Sequence, residues 1–399
     1  MLSTVAHTDE IDDLNEAAQE IFEQTADFKF AKNSLAIVMC EDETDYPELY
    51  SILSEKWKID FIGCTAMATL QSDIGYCGTG ISVMLLSADD CSFSAGITDT
   101  LTNDNYKEEI AKTYRKAAES LAEKEKMIIA YSVIVTSESN VPGDEIVGTI
   151  DEASDHTPVF GGLASDGFNF TESRVFYNDR VEKSGVVMVL ISGNVKPVWV
   201  TMNSIESRSS FTYEITESEG NRIFRLGSNT FMDALKKAQF MVDKTDVFGD
   251  YLISPFVLTI KKPNGEEVEV ARNISVLDHE NQSGVFLGGM PQGAYVGIGT
   301  LNRDDVQNSV EKALSELIKK VLNENDHEYR TFICTTCVAR FLALASNLKA
   351  EGNLCMKYIP KGSSLIGMYS YGEFCPKKGT VTGEDFNMFH NMTFTIVAF

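Results

Sequence analysis

The chain has 399 residues, of which 43% are hydrophobic, and it carries a formal net charge of −25. Length and composition suffice for two or three domains with large buried cores, and they argue against extensive disorder. The negative charge repels polyanions, so it argues against nucleic acid and anionic membranes as partners and leaves proteins and small molecules.

Targeting signals and a disulfide framework are not expected. No apolar run approaches the roughly 20 residues that a membrane-spanning helix needs, and residues 1–7 lack the basic and apolar regions of a secretory signal. We therefore expect a cytoplasmic location without membrane insertion. The eight cysteines are scattered through long apolar segments, which indicates reduced, buried thiols.

An acidic amphipathic helix is predicted over residues 8–24, with Thr8 as its cap. Apolar residues recur there at helical spacing, namely Ile11, Leu14, Ala18, Ile21 and Phe22. We treat residues 1–26 as a separate segment that packs on the body of the protein or on a second copy of the chain. A homodimer through this helix is therefore one expected assembly.

Strands and helices alternate after this segment. We predict, in chain order, a strand at 34–39, a helix at 45–56, a strand ending at 63–64, a strand pair at 81–87 and 91–97, and a helix at 103–124. A second series repeats that order, with a strand at 127–136, a helix at 143–153, and strands at 158–163, 174–178, 185–192 and 197–202.

The repeat lapses over residues 204–230, which are polar and rich in serine, so we place a boundary there between domains at 27–225 and 226–399. Further predicted elements are a helix at 229–241, a hairpin turning at 262–265, strands near 284–288 and 294–299, and a helix at 303–323. The hairpin is indicated by Asn264-Gly265, a dipeptide that favours tight turns.

Three glycines, Gly63, Gly161 and Gly367, each follow two large apolar residues. Apolar runs lie at similar distances before and after each glycine, so we expect one supersecondary unit used three times. Each unit mixes a helical crossover with a meander of strands. The predicted fold is α+β, with repeated strand-helix-strand-meander units that form mixed sheets covered by helices in two domains.

Several residues near these strand ends could bind a ligand. Glycine lets a ligand approach the backbone, a buried carboxylate can hold an ammonium group, and a guanidinium can hold a carboxylate. The alternatives are strand bulges for the glycines, turn caps for Asp166 and Glu373, and an ion pair from Arg340 to one of those two carboxylates. The candidate ligand-binding residues are Gly63, Cys64, Gly161, Gly162, Asp166, Arg340, Tyr369, Tyr371, Glu373, His390 and Asn391.

The sequence gives only weak indications of metal binding or redox chemistry. Cys334 and Cys337 form a single CxxC pair, and a zinc site would require Cys355, Cys375 or His390 to converge on it. A lone histidine in an apolar setting is more often a structural residue than a base. We expect no metal and no catalytic residue.

Three motifs resemble those of the FIST family. They are Gly161-Gly162-Leu163-Ala164-Ser165-Asp166, Gly367-Met368-Tyr369-Ser370-Tyr371-Gly372-Glu373 and Asn387-Met388-Phe389-His390-Asn391. The resemblance implies a FIST N domain over about 30–225 and a FIST C domain over about 245–399. It also implies a sensory role in which small molecules such as amino acids are ligands. Many members of the family are fused to output domains; this chain has no room for one, so we expect a separate output protein to receive the signal.

The leading hypothesis is therefore a stand-alone sensor whose pocket lies between the repeated strand ends, with no cofactor. The resemblance also admits a haem-based gas sensor, for which His156 and His390 are candidate axial ligands. A hypothesis from another class is an enzyme in which Cys64 or Cys337 acts as a thiolate nucleophile beside His390.

Overall fold

The computed structural model describes residues 1–133, 141–205, 207–238, 254–261, 265, 267–324, 326–379 and 383–399. Most of this chain is built from one unit of alternating strands and helices that occurs three times. The first unit comprises β1 (Leu2–Thr8), α1 (Leu14–Gln24), β2 (Asn33–Cys40), α2 (Tyr46–Lys56), β3 (Asp60–Thr65), β4 (Thr69–Gln71), β5 (Gly75–Cys77) and β6 (Ile81–Ala88).

The second unit repeats this order of elements without interruption. It comprises β7 (Cys91–Ile97), α3 (Tyr106–Ala118), β8 (Met127–Ser132), α4 (Gly143–Ala153), β9 (Val159–Leu163), β10 (Val175–Tyr177), β11 (Arg180–Glu182) and β12 (Val186–Gly193).

The third unit begins with β13 (Val198–Asn203), and an insertion follows. The insertion comprises β14 (Ser207–Glu219), β15 (Arg222–Leu226), β16 (Asn229–Thr230), α5 (Phe231–Lys237), β17 (Phe256–Lys261), β18 (Glu267–Arg272), β19 (Ile274–Asp278), β20 (Ser283–Phe286) and β21 (Tyr295–Thr300). The unit then resumes with α6 (Arg303–Asn323), β22 (Thr331–Cys337), α7 (Val338–Leu344), α8 (Ala350–Tyr358), β23 (Ser364–Ser370), β24 (Glu373–Lys378), β25 (Asp385–His390) and β26 (Thr393–Ala398).

The three units exchange hairpins in a cycle. Each of three six-stranded sheets takes four strands from one unit and a two-stranded hairpin from another. Hairpin β4–β5 of the first unit completes the sheet of the third, β10–β11 of the second completes that of the first, and β24–β25 of the third completes that of the second. Because no unit completes its own sheet, the three units form one interlocked body.

The three glycines occupy matching places in these sheets, as the repeat predicts. In the parallel strand pairs, Gly63 lies opposite Val38, Gly161 opposite Ala130 and Gly367 opposite Cys334. A Cβ atom at the first two would overlap the facing carbonyl oxygen, and at Gly367 it would overlap the Cys334 sulfur. Glycine is therefore required by close strand packing in each unit. The α+β class and the repeated units are confirmed.

The insertion forms a fourth sheet with the strand order β18-β17-β21-β14-β15-β20-β19, and β16 also pairs with β15. It has a hydrophobic core of its own, which includes Ile215, Phe231, Phe256 and Phe286. Ser207 and Thr300 are paired across β14 and β21. The chain thus leaves the body and returns to it at adjacent points.

Two predictions near the N-terminus need correction. The helix predicted from residue 8 begins at Leu14, because the Asp13 side chain accepts hydrogen bonds from the N–H groups of Asn15 and Glu16 and caps the helix there. Thr8 ends β1 instead. Residues 1–26 are not a separate helical segment, since β1 pairs along its whole length with β6.

Further corrections concern pairing and element ends. The runs at 81–87 and 91–97 are strands but not partners, because β6 lies in the first sheet and β7 in the second. The helix predicted at 103–124 spans Tyr106–Ala118. Residues 134–136 of the strand predicted at 127–136, residues 239–241 of the helix predicted at 229–241, and residues 262–264 of the predicted turn lie outside the described residues.

The stretch 204–230 is mostly strand rather than a polar linker. It carries β14 and β15, and much of β14 beyond residue 211 is exposed, so its composition is polar. The boundary predicted between residues 225 and 226 falls within β15. The predicted hairpin is confirmed, because β17 and β18 pair antiparallel with Lys261 opposite Glu267.

Candidate functional site

The ends of β3, β9 and β23 meet where the three units converge. We call residues 63–67, 161–166 and 367–373 the strand-end junction. The Ser165 hydroxyl donates to the Tyr369 carbonyl at 2.6 Å and accepts from the Met67 N–H at 3.1 Å. The Ser165 N–H donates to the Thr65 carbonyl at 3.1 Å. One serine therefore connects all three units.

Several of the predicted residues, contributed by all three units, come together at this junction. Cys64 Sγ lies 3.5 Å from Met368 Sδ, and both side chains are buried. Gly162 is paired with Glu373 across β9 and β24, and Gly161 is paired with Phe374. The junction is thus a place of dense backbone and side-chain packing.

Asp166 organises its own loop. Its Oδ1 accepts from the N–H groups of Asn169 and Phe170 and from the Tyr371 hydroxyl, the last at 2.5 Å. Its Oδ2 accepts from two further N–H groups and from a hydroxyl, those of Thr171, Glu172 and Ser173. Burial alone would raise the pKa of Asp166, but the hydrogen bonds from Tyr371 and the backbone lower it. With six donors already bound, this carboxylate has no acceptor left for a ligand ammonium.

Glu373 is also enclosed. Its Oε2 accepts from the Thr393 N–H at 3.1 Å and from the Thr393 hydroxyl at 2.6 Å. Burial raises the pKa of Glu373 to about 8, and the Thr393 hydrogen bonds only partly oppose this. A carboxyl group that is wholly buried and largely protonated at neutral pH is a poor electrostatic anchor for a cation.

Arg340 was expected to hold a ligand carboxylate or to form an ion pair with Asp166 or Glu373, and its actual partner is a different residue. It is fully buried at the start of α7, and its Nη2 lies 2.7 Å from Glu351 Oε1 on α8. Its Nε also donates to Glu351 and to the Thr336 hydroxyl, and its Nη1 donates to the Ser204 and Ser309 hydroxyls. Neither Asp166 nor Glu373 is its hydrogen-bonding partner. The partner is Glu351, which the sequence had not singled out.

Three other predicted residues are packed or bonded internally. The Tyr369 ring makes edge contacts with Phe341 and Tyr76. His390 Nε2 lies 3.0 Å from the Cys375 carbonyl oxygen, and burial lowers the pKa of His390 to about 3, so the ring is neutral. Asn391 Nδ2 donates to the Tyr371 carbonyl.

The junction encloses little space. A cavity of about 10 Å³ lies beside Asp166, which is room for a single water molecule. It is lined by Val133, Leu163, Ala164, Phe170, Ser173, Leu287 and Tyr371. The ring centres of Tyr371 and Phe170 lie 4.2 Å apart, and this stacked pair forms part of the cavity wall. The strand ends therefore meet as expected, but around a nearly filled centre.

A cleft of ligand size lies elsewhere, between the first turns of α3 and α4 and the fourth sheet. Its volume is about 600 Å³. The residues that line it are Asn103, Tyr106, Val141, Pro142, Asp144, Glu145, Ser218, Gly220, Ile260, Gly289, Met290, Pro291 and Gln292. The cleft thus separates the repeated body from the insertion.

An ion pair joins the two sides of this cleft. Asp144 Oδ1 lies 2.5 Å from Nη2 of Arg272, which is fully buried at the end of β18. Asp144 Oδ2 accepts from the Gly289 N–H at 2.5 Å. Burial lowers the pKa of Arg272, whereas Asp144 opposes that change. The Asp144 side chain remains 33% exposed, so a ligand can still reach it.

Arg272 also connects the cleft to the junction. Its Nη1 donates to the Phe389 carbonyl at 3.3 Å, and its guanidinium lies 5.4 Å from the centre of the Phe389 ring. Phe389 is in β25, the hairpin partner of β24, which carries Glu373. Sequence reasoning missed Asp144 and Arg272, although an acidic residue in a first helical turn and an arginine ending a strand of alternating glutamate and valine were visible signals.

The outer wall of the cleft holds a second carboxylate. Glu145 Oε2 accepts from the Tyr106 hydroxyl at 2.7 Å and lies 3.5 Å from the Lys107 ammonium group. These contacts fix Tyr106 of α3 against α4. They leave Glu145 about half exposed at the mouth of the cleft.

Two family models match the chain. The FIST N domain matches residues 34–228, and the FIST C domain matches residues 232–376. This chain belongs to the FIST family. The predicted resemblance is confirmed, and FIST domains are sensory domains of signal transduction. Both models include parts of the insertion, so the FIST N and FIST C matches meet within the fourth sheet.

The search of curated proteins finds no match for this FIST protein. Among solved structures, a cyanuric acid hydrolase from A. caulinodans is similar at a TM-score of 0.38 and 7% identity, covering 100% of this chain and 98% of that chain. A second cyanuric acid hydrolase, described as an innovation by structural concatenation, is similar at a TM-score of 0.35 and 8% identity, covering 99% and 98%. Neither likeness carries an argument about function.

The two candidate haem ligands lie away from the spaces described above. His390 Nε2 faces the Cys375 carbonyl, and His156 Nδ1 lies 2.9 Å from an Asp151 carboxylate oxygen. Neither ring lines the cleft or the junction cavity.

Among the described residues, no group of three or more His, Cys, Asp or Glu side chains is placed to hold a metal ion. In the same part of the chain, no helix is long and apolar enough to cross a membrane.

The thiolate hypothesis also lacks the geometry it needs. All eight cysteines are buried. Desolvation raises the pKa of Cys64 and of Cys337 well above the ordinary thiol value. Cys64 faces Met368, and the His390 ring nitrogen bonds a carbonyl rather than a sulfur. A thiol held in its protonated form is a weak nucleophile.

Proposed function

We propose that this FIST protein is a cytoplasmic sensor that binds a small molecule in the cleft between α3, α4 and the fourth sheet. One observation carries the proposal: the cleft has about 600 Å³ of space between two parts of the fold that an ion pair already joins. Small-molecule sites commonly have volumes of about 300–1,000 Å³ and lie between domains.

The internal bonding of the junction supports this choice. A ligand there would have to replace the six hydrogen bonds of Asp166 or displace the Tyr371 ring from Phe170. In the cleft, a ligand meets open space, a partly exposed carboxylate and apolar walls. Binding there requires no rupture of the body.

The position of the cleft also suggests how binding is passed on. A ligand that contacts Asp144 on one side and Ser218 or Met290 on the other favours one arrangement of the insertion relative to the body. Arg272 carries that change toward the β24–β25 hairpin through Phe389. We propose that a separate output protein recognises the changed surface.

A thermal-shift screen against a metabolite panel tests the proposal, using the wild-type chain and two matched variants. Ser218→Phe places a ring at the cleft, whereas Thr212→Phe adds the same ring at an exposed position of the same strand that does not line the cleft. A ligand at 100 times its Kd adds about 2.7 kcal/mol of stability. We expect hits with wild type and Thr212→Phe that are lost in Ser218→Phe. Equal shifts in all three proteins would place binding outside the cleft.

A further inference from the structure

The lining of the cleft distinguishes between classes of ligand, on the premise that the proposed function is correct. We infer that the cleft selects a primary amine with an apolar body and without a carboxylate. This departs from the amino acids that the family resemblance implies. The inference depends on the charges, hydrogen-bond donors and apolar surfaces around the cleft.

The charged groups that line the cleft are both carboxylates. Asp144 lies between the cleft and the buried Arg272, and Glu145 lies at the mouth beside Lys107. Neither cation is among the lining residues. An ammonium group that enters can therefore reach two partly exposed carboxylates, whereas an entering carboxylate faces two groups of like charge and reaches a cation only at the mouth, at Lys107. The net charge of −25 adds a long-range attraction for cations.

Several backbone donors beside the cleft that could bind a carboxylate already have acceptors within the protein. The first turn of α4 points into this region, but the Gly143 N–H donates to the Leu287 carbonyl and the Ile146 N–H to the Pro142 carbonyl. In the facing loop, the Gly289 N–H donates to Asp144 and the Met290 N–H to the Gly220 carbonyl. The N–H groups through which a helix N-terminus usually binds an anion are thus largely hydrogen-bonded within the protein.

Apolar side chains form much of the remaining wall. The ring of Tyr106 stands on one side, with Val141 and Pro142 next to it, and Ile260 and Met290 stand on the side of the insertion. These groups suit a hydrocarbon or aromatic body. An amine at one end would then reach Asp144 while the body is enclosed.

Isothermal titration calorimetry with matched pairs tests the inference. Each amino acid is compared with its decarboxylated amine: phenylalanine with phenethylamine, tyrosine with tyramine, and leucine with isoamylamine. We expect at least one amine to bind with 1:1 stoichiometry and at least about fivefold more tightly than its amino acid, the size expected for one like-charge contact. Glu145→Gln should weaken amine binding and reduce the ratio of amine affinity to amino-acid affinity. Ser218→Phe should abolish amine binding, whereas Thr212→Phe should retain it.

Three results would overturn the inference. The first is an amino acid that binds as tightly as its amine, and the second is amine binding that survives in Ser218→Phe. The third is no amine binding at all. If Ser218→Phe abolishes binding of an amino acid or another metabolite, the proposed function stands and only the ligand class is wrong. If the metabolite panel also yields no ligand, the proposed function fails with it.

Discussion

The strand-end junction and the cleft are both polar places where separate parts of the chain meet, yet they are built in opposite ways. At the junction, Asp166 accepts six hydrogen bonds and the enclosed space is about 10 Å³. At the cleft, Asp144 is partly exposed beside about 600 Å³ of space. The difference indicates that the glycine-rich strand ends serve assembly of the three units, and it supports the proposal that a ligand binds in the cleft beside the insertion.

The largest difference in stability between the junction and the cleft should come from alanine substitutions of two glycines. Gly161 has φ +124°, and a Cβ there would overlap the Ala130 carbonyl oxygen, so Gly161→Ala should cost about 3 kcal/mol or more of unfolding free energy. Gly289 borders the cleft, and its nearest Cβ contact would be Asp144 Oδ2 at 3.5 Å, so Gly289→Ala should change stability by less than about 1 kcal/mol. Urea unfolding of both variants measures the difference. Equal losses would show that the two regions are packed alike.

A second contrast compares carboxylates. Asp166→Ala leaves buried backbone donors without an acceptor and should cost about 3 kcal/mol, whereas Glu145→Ala, at the exposed wall of the cleft, should cost about 1 kcal/mol or less. Because the folded-state pKa of Asp166 is lowered, its stabilisation is present above the unfolded pKa, near 3.8, and is lost as the pH falls through the folded value. The gap between wild type and Asp166→Ala in urea unfolding should therefore narrow in acid. A gap that stays constant down to pH 3 would contradict this.

Glu373 should show the opposite pH dependence. Its folded-state pKa is raised to about 8 from 4.5, so its contribution to stability is greatest below pH 4.5 and is lost as the pH rises toward 8. Glu373→Gln removes this titration. The unfolding free energy of the variant relative to wild type should rise by roughly 1 kcal/mol per pH unit between pH 5 and 8. A difference that does not vary with pH would mean that Glu373 is not desolvated.

The smallest change in unfolding free energy is expected for a substitution in the cleft. Ser218 lines the cleft and is only partly buried, so Ser218→Phe should point a ring toward open space and its unfolding free energy should lie within about 0.5 kcal/mol of wild type. Thr212→Phe provides the matched comparison. A large loss in Ser218→Phe alone, measured by thermal unfolding without ligand, would indicate that the cleft is already filled.

The sequence was sufficient for features that rest on local pattern. Gly63, Gly161 and Gly367 revealed the three units because the same steric requirement acts on each of them. The pairing of β17 with β18 and most buried strands followed from composition and periodicity. The family motifs were visible for the same reason, since they coincide with these strand ends.

Features that depend on partners far apart in the chain could not be read in this way. Nothing in β4–β5 specifies that it joins the sheet of the third unit, and Asp144 and Arg272 are 128 residues apart. Asp166 looked like a ligand anchor because a sequence does not show where backbone N–H groups point. The insertion was hidden because the exposed part of β14 is polar and resembles a linker.

Hydrogen exchange with a screened ligand is the most direct test of where this protein binds it. Exchange of backbone amides would be measured by mass spectrometry with and without a saturating hit. The account predicts protection in residues 103–106, 141–145, 218–220 and 289–292, which border the cleft. Protection confined to residues 163–173 and 369–373, at the strand-end junction, would contradict it.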